Sequence, residues 1–143
     1  FEFAPLPSHD MARAAARWPG LFPIVQDFLA DWPSDLRAGV HRVMRQDVTL
    51  ELVLGDANRT LAGWAGKADA WYLDGFSPAR NPELWSADLM QQVYERTTRG
   101  GTFATYTVAG WVRRNLAAAG FELEKFPGYG RKRESLRGTK PLP

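Results

Sequence analysis

The stretch from Asp69 to Trp85, DAWYLDGFSPARNPELW, constrains the fold more than any other part of the chain. Its apolar run, Ala70 to Leu73, stops abruptly at Asp74-Gly75-Phe76, and Pro78 and Pro82 then forbid regular structure until Glu83. This pattern predicts a buried strand that delivers an acid to a constrained loop. In an open parallel sheet, ligands gather beyond the carboxyl ends of the strands, so an acidic side chain there is placed for chemistry rather than for packing.

The segments on either side supply the rest of such a sheet. Phe1-Glu2-Phe3 reads as the end of a strand, halted by Pro5 and Pro7. Ser8 is positioned to cap a helix over about 9–17, with Met11, Ala14, Ala15 and Trp18 on one side, and a second helix is expected over about 23–30. Val40 to Met44 and Val48 to Leu54, joined by a polar turn, predict a hairpin whose second arm alternates apolar and polar positions and ends at Gly55-Asp56-Ala57-Asn58. A short helix near 60–64 leads into the strand that carries Asp74. Beyond the proline loop, Asn81 and Pro82 open a helical turn, and Ser86 caps a helix to about Thr97 with Leu89, Met90, Val93 and Tyr94 inward.

Gly100-Gly101 should break the chain before a strand over 102–106. Thr107 then caps a helix that buries Val108, Trp111, Val112, Leu116 and Ala119 and stops at Gly120. Phe121 to Phe126 has no clean apolar face, as expected near a sheet edge, and a Pro-Gly-Tyr-Gly turn connects it to a last strand at about 133–137. Strands that alternate with helices and finish in a tight hairpin imply an α/β, Rossmann-like fold: a mostly parallel sheet with a terminal antiparallel strand. The expected N-terminal strand and Gly-rich loop of such a fold are missing here. We therefore expect residues 1–143 to form the larger, C-terminal portion of a single domain.

Composition narrows the chemistry. The chain has no cysteine, and its two histidines, His9 and His41, lack ligand-like spacing, so neither a metal site nor Ser-His-Asp hydrolysis is expected. Ser77 has no histidine near it in sequence and is followed directly by a proline. No apolar run reaches membrane-spanning length and no signal-like segment opens the chain, which makes a cytoplasmic location with no membrane partner the expectation. The net charge of +2 conceals an asymmetry: from Lys125 onward six cations face Glu134 alone, so this tail carries +5 and the preceding residues −3. Such a segment suits either a polyanion partner or a solvated charged edge.

Three acids end or follow strands: Glu2, Asp56 and Asp74. In a nucleotide-binding sheet, an acid at the second strand end accepts hydrogen bonds from ribose hydroxyls, and the next, here Asp56, is placed to accept from an adenine amino group. Each acid taken singly is equally a turn or helix cap. Asp74 has a specific use if the substrate is an amine: a carboxylate orients the N–H and stabilises positive charge growing on nitrogen. Phe76 either stacks on a base or walls off a cationic methyl group, or it plugs the core. In Gly128-Tyr129-Gly130-Arg131-Lys132-Arg133, glycines permit close approach, cations meet phosphates and Tyr129 offers a stacking face, a combination suited to RNA or to an ordinary solvated turn. Arg113 and Arg114 either extend that basic surface or decorate an exposed helix side. Trp18, Trp32 and Trp64 read as core or lid packing.

LDGFSPARNPELW, GGTFATYT followed by AGWVRRNLAAAGF, and GYGRKRE, together with FEFAPL and the Trp-Pro helices, closely resemble the methyltransferase domain of the bifunctional tRNA 5-methylaminomethyl-2-thiouridine biosynthesis protein family. The resemblance covers essentially the whole chain and is most specific in the Asp69 to Trp85 block. It implies a class I S-adenosylmethionine-dependent enzyme that N-methylates 5-aminomethyl-2-thiouridine at the tRNA wobble position. On that resemblance Glu2 is the ribose-binding acid, Asp56 and its neighbour Ala57 lie on the adenine side, and Asp74 is the catalytic acid in contact with both cofactor and aminomethyl group, with Phe76 beside it. The cations Lys125, Arg131, Lys132 and Arg133, with Tyr129 as a stacking face, are the expected tRNA-binding set. Many members continue into an oxidase domain that removes a carboxymethyl group to generate the amine, so FAD is expected only in that separate, fused domain. The rivals are another Rossmann N-methyltransferase and a non-catalytic RNA-binding fragment.

Overall fold

The computed structural model describes residues 1–45, 47–130 and 132–142. The chain forms two compact units, Phe1–Thr60 and Leu61–Pro143, divided within a helix.

The first unit contains α1 (Ser8–Ala15), α2 (Phe22–Leu29) and an antiparallel pair of β1 (Gly39–Arg45) and β2 (Val48–Leu54). The hairpin is in register along its full length, from Gly39 opposite Leu54 to Arg45 opposite Val48. Val43, Val53 and Leu54 lie in the interior while Val40, Met44 and Val48 stay exposed, so the end of β2 is covered on both faces. Arg45 bridges to α2 through Asp27 at 2.9 Å. Ser8 does not cap α1: it is the first helical residue, Pro7 holds the cap position in an extended conformation, and no side chain caps the helix. The proline supplies the extended backbone that the preceding position needs, which leaves Ser8 inside the first turn. Trp18, expected as core or lid packing, is 64% exposed and lies beyond the end of α1 at Ala15.

The helix α3 (Ala57–Gly63) contains the division. The second unit is built on a four-stranded sheet of β3 (Ala68–Leu73), β4 (Thr97–Thr105), β5 (Glu122–Pro127) and β6 (Glu134–Thr139), in spatial order β3-β4-β6-β5. β3 and β4 are parallel, and β6 runs antiparallel to both β4 and β5. Three strands thus share one direction and the last strand opposes them, the mostly parallel sheet with a terminal antiparallel strand that the element order implied. A 3-10 turn (Pro82–Trp85), α4 (Ala87–Glu95) and α5 (Gly110–Ala119) complete the unit. Its core gathers Trp85, Leu89, Met90, Val93, Phe103, Val112, Leu116, Phe121 and Leu136, with the Phe103 and Phe121 rings edge-to-face at 4.9 Å. Ser86 Oγ accepts the Leu89 amide at 3.2 Å and fixes the start of α4.

Three local expectations need correction here. β3 is not buried on both faces: it ends the sheet order, and Tyr72 is 86% exposed. β4 begins at Thr97 and runs through Gly100-Gly101 instead of starting after them. Gly100 adopts φ +73°, and its amide bonds the Lys140 carbonyl, so the pair makes an irregularity within a paired strand, matched by a register shift against β3 between Ala68 and Ala70. Thr107 does not cap α5 directly: its hydroxyl accepts the Ala109 amide at 3.3 Å, which shapes the turn, and Ala109 holds the cap position.

Candidate active site

The loop after β3 is held by side chains far away in sequence. Tyr106, immediately after β4, donates its hydroxyl to the Gly75 carbonyl at 2.8 Å, and the buried Trp85 donates its indole N–H to the Phe76 carbonyl at 2.9 Å. The two rings meet edge-to-face at 6.3 Å, and Asn115 of α5 donates to the Trp85 carbonyl at 2.9 Å. Two consecutive carbonyls are thereby tied to the core, so the direction in which Asp74 leaves β3 is set by packing and not by the loop alone. Both neighbours in the acid's own loop, Gly75 and Phe76, contribute backbone acceptors to this clamp. Asp74 itself is exposed, and so is Phe76, at 76%. The core-plug alternative for Phe76 is thereby removed, and its ring is free to meet a ligand.

Asp74 acts on its surroundings electrostatically. Burial, and then the nearby Asp74 carboxylate, push the Tyr106 phenol above its ordinary range, so it stays protonated and remains a donor to Gly75. Lys132, from the turn between β5 and β6, places its ammonium 4.3 Å from the centre of the Tyr106 ring. This contact brings the basic turn to the same strand end as Asp74.

The other two acids belong to the first unit and come together through backbone pairing. Glu2 forms a parallel bridge with Leu54, its amide donates to the Val53 carbonyl, and its carbonyl accepts the Gly55 amide, each at 2.9 Å. Glu2 is therefore a single bridge residue at the end of β2, one step from Asp56. Gly55 makes the turn possible: its φ is +144°, and a Cβ there would lie 2.9 Å from Thr60 Cγ2. Asp56 Oδ1 accepts both the side-chain and the backbone N–H of Asn58, at 3.1 and 3.0 Å, and these bonds hold its pKa below the usual carboxylate value. Ala57 opens α3 behind it. Glu2 Oε1 accepts the Ala4 amide at 2.9 Å. Both carboxylates retain lone pairs beyond these turn contacts.

The basic set is divided by its partners. Tyr129 is 99% exposed. Lys132 and Arg133 are exposed, whereas Lys125 is ion-paired with Glu134 at 2.9 Å. Arg131 lies outside the described residues. Tyr106, Trp85, Asn115 and the Lys132 contact were missed by sequence reading. The one available signal was that Trp85 closes the block and Tyr106 closes the following strand, both at the edge that carries Asp74.

A parallel strand pair ending in a clamped acidic loop, beside an inserted antiparallel strand, defines a Rossmann-like α/β fold, and in folds of this class ligands sit at the carboxyl edge of the sheet. Residues 19–141 match the model of a family of S-adenosyl-L-methionine-dependent methyltransferases, and the chain belongs to that family. It is 47% identical over 142 residues to the tRNA 5-methylaminomethyl-2-thiouridine biosynthesis bifunctional protein MnmC of Caulobacter vibrioides and 44% identical to the protein of the same name from Caulobacter sp. strain K31. In both cases 98% of this chain is covered but only 24% of the relative, so the chain spans about a quarter of the length of these relatives. The crystal structure of MNMC2 from Aquifex aeolicus superposes with a TM-score of 0.70 at 29% identity, over 85% of this chain and 37% of that one.

Proposed function

We propose that the chain is part of an enzyme that methylates the aminomethyl nitrogen of 5-aminomethyl-2-thiouridine at the tRNA wobble position. The carrying observation is the clamped loop that presents Asp74, in a chain that belongs to the S-adenosylmethionine-dependent methyltransferases. The names of its relatives supply the substrate class.

S-Adenosylmethionine, when bound, supplies an electrophilic methyl group. Glu2 and Asp56, brought to one strand end, have the chemistry to hold it: one accepts from a ribose diol and the other, kept ionised by Asn58, accepts from an exocyclic amine, with Ala57 along the adenine. Asp74 accepts a hydrogen bond from the substrate N–H, aims the nitrogen lone pair and stabilises the ammonium charge that develops, after which the excess proton leaves to solvent. Phe76 supplies an apolar and π-rich wall against the aminomethyl base. Tyr129, Lys132 and Arg133, with Arg131 and Lys125, belong to the RNA contact.

In this reading the relatives' second activity lies in a fused FAD-dependent oxidase domain that generates the amine, and a tRNA substrate places the enzyme in the cytoplasm. Among the described residues no helix is long and apolar enough to cross a membrane. The test is incubation with S-adenosylmethionine and either aminomethyl-bearing or unmodified tRNA, followed by nucleoside mass analysis. Methylation of the aminomethyl-bearing tRNA alone is expected. Methylation of unmodified tRNA would point to another N-methyltransferase, and no methylation of either would favour the RNA-binding fragment.

A further inference from the structure

A groove of about 280 Å³ opens between α5 and the β5–β6 hairpin. Ala117, Leu123 and Leu136 give it an apolar floor, and Arg113, Arg114 and Lys125 line it with positive charge. The charges differ in their commitments. Lys125 is paired with Glu134, and the neighbouring Arg137 with Glu124 at 2.8 Å. No carboxylate among the described residues pairs with Arg113 or Arg114, and the Arg113 Nε is shielded from solvent without a hydrogen-bond partner. A buried donor left unmet costs free energy that an anion would return.

The strand register locates this groove relative to the acid. Leu73 lies opposite Thr105, Thr105 opposite Leu136, and Leu136 opposite Lys125, so a single row crosses the sheet one residue before Asp74. Three interstrand spacings separate its ends, about 14 Å. The groove therefore shares the carboxyl edge with Asp74, a few nucleotides away along a strand of RNA. The second unit supplies the field for such a polyanion, with twelve basic against eight acidic residues.

We propose that this groove is an RNA phosphodiester site, in which Arg113 and Arg114 hold a backbone phosphate and the apolar floor receives the adjoining sugar or base. The proposal rests on the tRNA reading above and extends it to a surface outside the Gly128 to Arg133 turn. It fixes the RNA at a second point, so that the target nucleotide is held at Asp74 from one side of the sheet.

The test is binding of the full chain to a fluorescent anticodon stem-loop RNA, titrated across salt concentrations. The double variant Arg113→Ala/Arg114→Ala should bind about tenfold more weakly, with a log–log salt slope shallower by about 0.7 for each phosphate contact removed. Arg114→Glu alone, at an exposed position, should show a loss of the same sense without disturbing the core. Arg17→Ala, an exposed cation of the first unit, should leave both affinity and slope unchanged. Wild-type affinity and slope in both groove variants would overturn the proposal and leave the tRNA reading standing, as would an equal loss from Arg17→Ala. Failure of the wild-type chain to bind RNA at low salt would overturn the tRNA reading and this site with it.

Discussion

The two units carry their acids on very different foundations. Among the described residues, Leu61–Pro143 buries eleven apolar side chains and exposes four large ones, whereas Phe1–Thr60 buries four and exposes nine, among them Phe3, Trp18 and Ile24. Asp74 thus projects from a loop tied to a packed aromatic core, while Glu2 and Asp56 depend on one bridge, one glycine turn and a hairpin. On the proposed function, the better-packed support lies where a reacting nitrogen would have to be aligned, and positioning for chemistry tolerates less displacement than hydrogen bonding to a cofactor.

The contrast is broken most severely by opening the core of the second unit. Leu116→Ala, at a fully buried position, should cost about 2–5 kcal/mol in denaturant unfolding, against about 1–2 kcal/mol for Val43→Ala in the hairpin. Hydrogen exchange on the same proteins should show faster exchange at β1 than at β4 amides, and equal protection would remove the distinction. Next in size, Glu2→Ala and Asp56→Ala should each weaken S-adenosylmethionine binding about tenfold by calorimetry while leaving the melting of the second unit unchanged. If instead they unfold that unit, their proposed role is lost.

Tyr106→Phe removes one hydrogen bond to the acidic loop and should cost about 1 kcal/mol. In the wild type the raised phenol pKa means that the unfolded chain releases this proton first, so Tyr106 weakens stability as pH rises beyond the ordinary tyrosine range. Tyr106→Phe should flatten that alkaline loss, and an unchanged alkaline profile would exclude the coupling. The smallest effect is expected at Asp56. Its pKa is lowered, so its contribution to stability is present above the ordinary carboxylate range and disappears as pH falls through the lower folded value. Asn58→Ala removes the largest cause of that lowering and should shrink the acid-side loss in a melting series.

Much of this division was legible in the chain. The abrupt end of the Ala70 to Leu73 run marked Asp74, period-two alternation marked β2, and Ser86 marked the start of α4, because strand ends, alternation and caps are local signals. The clamp was not legible, since Tyr106 and Gly75 are 31 residues apart and the bond goes to a backbone carbonyl that any residue would offer. Nor did Gly100-Gly101 declare that it would be paired within β4: a double glycine reads as a break unless its partner strand is known, and that partner is at Lys140. The exposure of Tyr72 was hidden for a related reason. An apolar run marks a strand suited to burial, but what packs on the two faces of the sheet decides which of them are covered.

The central claim is that Asp74 acts on the reacting nitrogen and not on either ligand's affinity alone. It is tested most directly by single-turnover transfer of a labelled methyl group from S-adenosylmethionine to aminomethyl-bearing tRNA, comparing Asp74→Asn with wild type at saturating concentrations of both. A fall in the transfer rate of about 10²–10⁴-fold with RNA affinity retained is the predicted result; an unchanged rate would contradict the account.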